Sequence, residues 1–156
     1  MQPIGIIKTS FESGMEIPIQ SSKSETIGEA IIENEFKAGL DSLDLFSHVI
    51  LIYWFHRASS AKPKVVPYLG KSERGLFSTR APSRPNPIGI SIVELLEIED
   101  NRLVFKGADM LNGSPLIDIK PFIPEFDCRP DANSGWLGEY LDKEGQQFLG
   151  DTRFHE

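Results

Sequence analysis

Between positions 80 and 91 the chain reads Arg-Ala-Pro-Ser-Arg-Pro-Asn-Pro-Ile-Gly-Ile-Ser, and here its side chains are best suited to do chemistry. Arg80 and Arg84 hold a permanent positive charge, and the Asn86 amide both donates and accepts hydrogen bonds. Pro82, Pro85 and Pro87 each fix φ near about −65° and remove a backbone donor. Ala81, Arg84 and Asn86, each preceding a proline, are driven to extended conformations. The loop is stiff before anything binds. The carbonyls around Pro85 and Pro87 are read as acceptors open to a ligand, and Gly89 as a point of close backbone approach. A phosphate or carboxylate suits this donor set. A rigid connector between strands is the plainer reading, and the residues alone leave both standing.

Charge sharpens the picture. The chain carries −7 overall, which argues against a general nucleic-acid binder. Yet the segment from Arg57 to Arg84 holds seven basic residues against Glu73 alone, a net +6 in 28 residues, leaving −13 for the rest. A basic segment on an acidic body steers an anionic partner locally while discouraging indiscriminate binding. Lys62, Lys64, Lys71 and Arg74 are its candidate phosphate contacts. Cys128 is the single cysteine, so an internal disulfide and a multi-cysteine zinc cage are excluded. His48, His56 and His155 lack ligand spacing, and no metal is expected. With no leader-like segment and no apolar run long enough to cross a bilayer, a cytoplasmic protein without membrane contact is expected.

These groups need a scaffold, and the pattern reads mostly as strands. Candidates are residues 4–8, 28–32, 49–55, 88–99 and 102–107, the last two flanking the turn residues Asp100 and Asn101 as a hairpin. The seven apolar residues 49–55 read as a strand buried on both faces. Phe36, Leu40, Leu43 and Phe46 recur every three or four residues, which predicts one or two short helices. Ile117 and Ile119 alternate with Asp118 and Lys120, so the last two share one strand face. A marginal helix is expected near 135–148. At 156 residues a single domain, core about 4–127 with a short tail 128–156, is the expectation. Many strands and few helices predict a mainly β, antiparallel, closed or nearly closed sheet.

Three segments carry a resemblance. Gly75-Leu76-Phe77-Ser78-Thr79-Arg80 with the proline loop, Leu51-Ile52-Tyr53-Trp54-Phe55-His56-Arg57, and the block from Asp109 to Pro124 are similar, in order, to motifs of the TsaA-like family, also called TrmO. Ile4-Gly5-Ile6-Ile7 and Pro18-Ile19-Gln20 fit as well. The resemblance implies an antiparallel β-barrel that pairs into a homodimer. It also implies an S-adenosylmethionine-dependent methyltransferase acting on tRNA, at N6 of threonylcarbamoyl-adenosine beside the anticodon. Composition and periodicity show none of this, since the glycine-rich strand–loop–helix of Rossmann-type methyltransferases is missing.

By the same resemblance the cofactor contacts fall on Gln20, His56, Arg57, Arg80, Ile90 and the turn Asn112, Gly113, Ser114 and Pro115. Arg80 is suited to fork a carboxylate, and Gln20 to pair with an adenine edge or ribose. An exocyclic adenine nitrogen is a weak nucleophile and needs an acceptor for its proton. Asp118 is the candidate for that catalytic role, with Asp109 and the proline-loop carbonyls as rivals. Lys120, on the strand face of Asp118, is assigned to the substrate together with Lys62 and Lys64, and Arg84 and Asn86 to substrate positioning or to loop architecture. The chain departs from the family pattern at Ile19 for arginine, Arg57 for glutamine or glutamate, Asn112 for aspartate and Ser114 for threonine. Two other readings remain: the same cofactor with another RNA or a small molecule, and a non-catalytic anion-binding module on the same fold.

Overall fold

The computed structural model describes residues 1–15, 17–141 and 147–154. Among them, eight strands carry the architecture: β1 (Gly5–Lys8), β2 (Ile27–Ile32), β3 (His48–Trp54), β4 (Lys64–Val65), β5 (Arg74–Gly75), β6 (Ile88–Glu99), β7 (Arg102–Lys106) and β8 (Ser114–Pro121). Six of them form a closed barrel in the order β1-β2-β7-β6-β3-β8, and β4 pairs with β5 as a separate ribbon. Every pairing is antiparallel, and β1 closes the ring against β8 through Gly5 opposite Leu116 and Ile7 opposite Ser114. Closure leaves the barrel without an unpaired edge.

Strand alternation sets what faces inward. Ile7, Ala30, Leu51, Val93, Leu103, Phe105 and Leu116 fill the interior. The apolar run on β3 obeys the same rule: Val49, Leu51 and Tyr53 are buried, while Ile50, Ile52 and Trp54 point outward and are only part-buried. A strand buried on both faces, the sequence expectation, is therefore corrected to one buried on one face. Its outer isoleucines lie beside those of β6, where Gly89, Ser91 and Val93 face in and Ile88, Ile90 and Ile92 face out, 36%, 60% and 44% exposed. The hairpin from β6 to β7 turns at Asp100, with φ of 56°.

The expected short helices at 35–46 are 3-10 turns, Asn34–Leu40 and Leu43–Leu45, which seat Leu40 and Leu43 on the barrel end. Of the helix expected near 135–148, Gly135–Leu137 and Gly138–Leu141 are helical turns, and residues 142–146 lie outside the described residues, as does His155. Among the described residues no helix is long and apolar enough to cross a membrane.

Gly5 marks the tightest point of the barrel seam. A Cβ built there would lie 2.2 Å from the carbonyl oxygen of Ile31, a backbone atom of the neighbouring strand that cannot swing aside. Gly5→Ala is accordingly expected to destabilise the fold by about 1–3 kcal/mol, read as a lower urea midpoint at unchanged slope.

Candidate active site

One cavity of about 300 Å³ opens at the end of the barrel, between the ends of β3 and β6, the proline loop and the segments around Gln20 and Asp109. Apolar walls come from Ile17, Phe55, Met110 and Leu111, and polar groups converge on them from Gln20, His56, Arg57, Arg80, Arg84, Asp109 and Ser114. An apolar pocket with a few convergent polar groups is the usual form of a small-molecule site.

Arg80 and Gln20 act as a pair across the rim. An Arg80 guanidinium N–H donates to Gln20 Oε1 at 2.6 Å, and Gln20 Nε2 donates to the Ile19 carbonyl at 2.6 Å. His56 stands at the end of β3 with Ser114 Oγ 3.5 Å from its Nδ1. Its pKa lies below the ordinary histidine value, first because its ring is partly desolvated although the residue is exposed, and then because Arg57 is positive. Ser114 is buried and donates to the Leu111 carbonyl at 2.8 Å, so its hydroxyl fixes the turn that brings it to the cavity.

Asp109 is the carboxylate of the site. It is part-buried against apolar neighbours, and this desolvation pushes its pKa up to about 7 against the opposing effects of hydrogen bonds and Arg80. Ser91 Oγ donates to Asp109 Oδ1 at 2.6 Å, and the Tyr53 hydroxyl lies 3.1 Å from the same Ser91 oxygen. Burial and the nearby Asp109 charge raise the Tyr53 pKa well above that of a free phenol, so this hydroxyl stays protonated. The arrangement depends on Gly89, where an added Cβ would meet the Tyr53 ring at 2.4 Å.

Of the sequence-derived cofactor residues, the structure brings Gln20, His56, Arg57, Arg80, Ile90 and Ser114 to one cavity. Asn112, Gly113 and Pro115 stand behind it. Asn112 Oδ1 accepts from the Thr9 backbone at 3.3 Å and its Nδ2 donates to Glu12 at 2.9 Å, so this amide ties β1's exit loop to the turn. Gly113 adopts φ of +78°, open to glycine, and Pro115 sits opposite Ile6 in the barrel seam.

Asp118 does not reach the cavity. It lies opposite Ile52 on the outer face of the barrel, where it pairs with Lys120 at 2.8 Å and accepts from the Ile119 backbone at 2.9 Å. Strand parity decides this: Ser114 and Leu116 point in, and the bulge between Ile52 and Tyr53 leaves Asp118 and Lys120 facing out. Arg84 lines the cavity, yet its guanidinium is spent on the carbonyls of Thr79 at 3.0 Å and of Leu76 and Ala81 at 3.4 Å, which makes it the clasp of the proline loop. The Pro87 carbonyl, read as open to a ligand, accepts from the Phe55 N–H at 2.8 Å. Asn86, Lys62 and Lys64 are exposed and outside the cavity, Lys64 opening β4.

Sequence reasoning missed one wall. Residues 147–154, read as tail, fold back over the site: the Ile19 N–H donates to Phe148 O at 2.9 Å and the Gly150 N–H to Ile17 O at 2.7 Å. Phe154 is buried against Tyr68 with ring centroids 5.2 Å apart, and its carbonyl accepts from Ser59 N–H and Ser83 Oγ. Tyr68, which lines the cavity, has its pKa pushed up to about 12 by burial and then by Asp151. The isolated Phe154 among charged residues was the only local signal for this anchor.

A closed antiparallel barrel whose end-cavity gathers arginine, glutamine and carboxylate groups is a small-ligand site on an all-β scaffold, distinct from doubly wound nucleotide-binding folds. The chain belongs to the tRNA-methyltransferase O family, whose N-terminal domain model matches residues 6–128. A probable S-adenosyl-L-methionine-binding protein of Pyrococcus abyssi is 47% identical over 143 residues, covering 91% of this chain and 78% of that protein. An S-adenosyl-L-methionine-binding protein of Archaeoglobus fulgidus is 45% identical over 128 residues, 82% of this chain and 92% of its own length. The human tRNA (adenine(37)-N6)-methyltransferase is 35% identical over 134 residues, 81% of this chain and 30% of the human protein. The crystal structure of TrmO from Pseudomonas aeruginosa superposes with a TM-score of 0.72 at 36% identity, covering 86% of this chain and 60% of that one.

Proposed function

We propose that the cavity binds S-adenosylmethionine and that the chain is a tRNA methyltransferase whose target is N6 of threonylcarbamoyl-adenosine beside the anticodon, acting in the cytoplasm. The observation that carries this reading is the meeting of Arg80, Gln20 and the desolvated Asp109 carboxylate in one apolar-walled cavity. The names of the relatives support it, with S-adenosyl-L-methionine binding in the archaeal proteins and adenine-N6 methylation in the human one.

The donor set fits the cofactor. Arg80 supplies a cation for the amino-acid carboxylate, Gln20 both a donor and an acceptor for an adenine or ribose edge, and Ile17, Phe55 and Met110 apolar surface for the ring. When bound, the cofactor supplies a methyl carbon on a sulfonium sulfur. The protein's part is alignment and proton management. Asp109 replaces Asp118 as the acceptor: its carboxylate takes the N6 proton as the nitrogen–carbon bond forms. A pKa of about 7 matches that task near neutral pH. Ser91 holds Asp109 Oδ1 in place, and the protonated Tyr53 lies behind Ser91.

The outer isoleucines favour a second copy of this chain as partner. Ile88, Ile90 and Ile92 on β6 adjoin Ile50 and Ile52 on β3, a contiguous apolar face on the outside of the barrel. Ile90 also lines the cavity, so a homodimer packed here would cover one cavity wall. Ile92→Arg is expected to shift the chain from dimer to monomer in sedimentation at micromolar concentration; a wild-type monomer under those conditions removes the dimer.

The function is tested by nucleoside mass spectrometry of tRNA bearing threonylcarbamoyl-adenosine after incubation with the protein and S-adenosylmethionine. One added methyl on that nucleoside alone is the expected result. Methylation of a different nucleoside, or cofactor binding without transfer to any nucleoside, would replace the substrate.

A further inference from the structure

A second concavity adjoins the cavity and shares Ile19, Gln20, Tyr68, Thr79 and Arg80 with it. This groove, of about 620 Å³, is walled by the rings of Phe77, Trp136 and Phe148. Phe77 is 80% exposed, and its exposure is built into the turn that carries it. Leu76 beside it is buried, Ser78 Oγ donates to the Gly75 carbonyl and Thr79 Oγ1 to the Leu76 carbonyl, both at 2.8 Å, and Arg84 clasps the same turn from behind. Nothing in folding is gained by holding an apolar ring in water on a pinned turn.

Cations accompany each ring. The Arg74 guanidinium stands 5.3 Å from the Trp136 ring, Lys23 Nζ 4.9 Å from the Phe148 ring and Arg84 5.6 Å from the Phe77 ring. Trp136 is held by its indole N–H, which donates to the Ser78 carbonyl at 2.8 Å. The buried Arg74 Nε has no hydrogen-bond partner among the described residues. Aromatic faces interleaved with cations suit a polymer that offers planar bases and phosphates together. That is unpaired nucleic acid, because in a duplex the faces of the bases are covered by their neighbours.

We infer that this groove holds unpaired nucleotides flanking the methylated adenosine, with Phe77 as a stacking platform, while the target base turns past Arg80 into the cavity. The inference rests on the tRNA reading above and adds to it where the loop lies. Extruding one base while its neighbours stay stacked on protein is how enzymes reach an exocyclic nitrogen.

The test compares the full chain with its Phe77→Ala and Phe77→Trp variants, using a single-stranded RNA oligonucleotide of anticodon-loop sequence and the modified tRNA. Phe77→Ala is expected to weaken binding of the oligonucleotide about tenfold. It should raise KM for tRNA by a similar factor and leave kcat and S-adenosylmethionine affinity within twofold. Phe77→Trp should restore the loss, which a merely structural role would not do. Arg74→Gln should lower the salt slope of RNA binding by about 1. Oligonucleotide affinity unchanged in Phe77→Ala, with tRNA methylation intact, overturns the groove and spares the enzyme. Wild-type protein that neither binds the oligonucleotide nor methylates tRNA overturns both.

Discussion

Asp109→Asn should lower the methyl-transfer rate about a hundredfold or more, while S-adenosylmethionine affinity measured by calorimetry changes only a few-fold. Asparagine keeps the acceptor for the Ser91 hydroxyl and loses only the capacity to take a proton, so the loss belongs in kcat. In the wild type kcat should rise with pH and level off above about 7, where Asp109 is ionised, and in the variant this limb should disappear. Stability should move the other way. The folded pKa of about 7 exceeds the ordinary 3.8, so the folded state binds the extra proton between those values. The stability this contributes is complete below pH 3.8 and lost as pH rises through 7, a swing of up to about 4 kcal/mol. Asp109→Asn should therefore be more stable than wild type at pH 8 and gain little at pH 4, as urea midpoints at the two values would show. A variant with full activity at pH 8 would remove Asp109 from the reaction.

Arg80→Ala is expected to weaken S-adenosylmethionine binding by ten- to a hundredfold, the worth of a charged hydrogen bond to the ligand. The fold should not suffer, because Arg80 is exposed and its guanidinium reaches across the rim to the side-chain amide of Gln20. The unliganded urea midpoint should stay at the wild-type value. A second readout follows from charge: Arg80 lowers the Asp109 pKa, so its loss should carry the pH–rate limb to higher pH. Unchanged calorimetric affinity would assign Arg80 to RNA alone. Arg80→Lys keeps the charge without the fork and should fall between the two.

The barrel was legible from short apolar segments and turn residues, and five of its strands lie within a residue of their expected limits. Its closure follows from the β1–β8 pairing, a contact between residues more than a hundred positions apart that no local pattern encodes. The cavity was legible in part, because Gln20, His56, Arg80 and Ser114 lie in motifs whose order the sequence displays. The sequence favours Asp118 over Asp109 for a physical reason, although Asp109 is the one that lines the cavity. Alternation along 117–120 shows that Asp118 and Lys120 share a face, but which face is inward depends on a bulge at Ile52 and Tyr53 that carries no residue signature. Asn112 reads from sequence as a ligand-facing turn residue, and only its two long-range hydrogen bonds reveal it as a tie to Thr9 and Glu12.

The cavity draws its walls from Gly14 through Gly150, and its far side is the stretch that pairs Phe148 and Gly150 with Ile17 and Ile19. During synthesis, the barrel strands are therefore all translated before the last of the binding wall exists. A nascent chain halted anywhere before Phe154 lacks the ring that locks against Tyr68. An intact cavity thus depends on residues 147–154 having been made, and a polypeptide cut short before them keeps every barrel strand while lacking one side of the pocket.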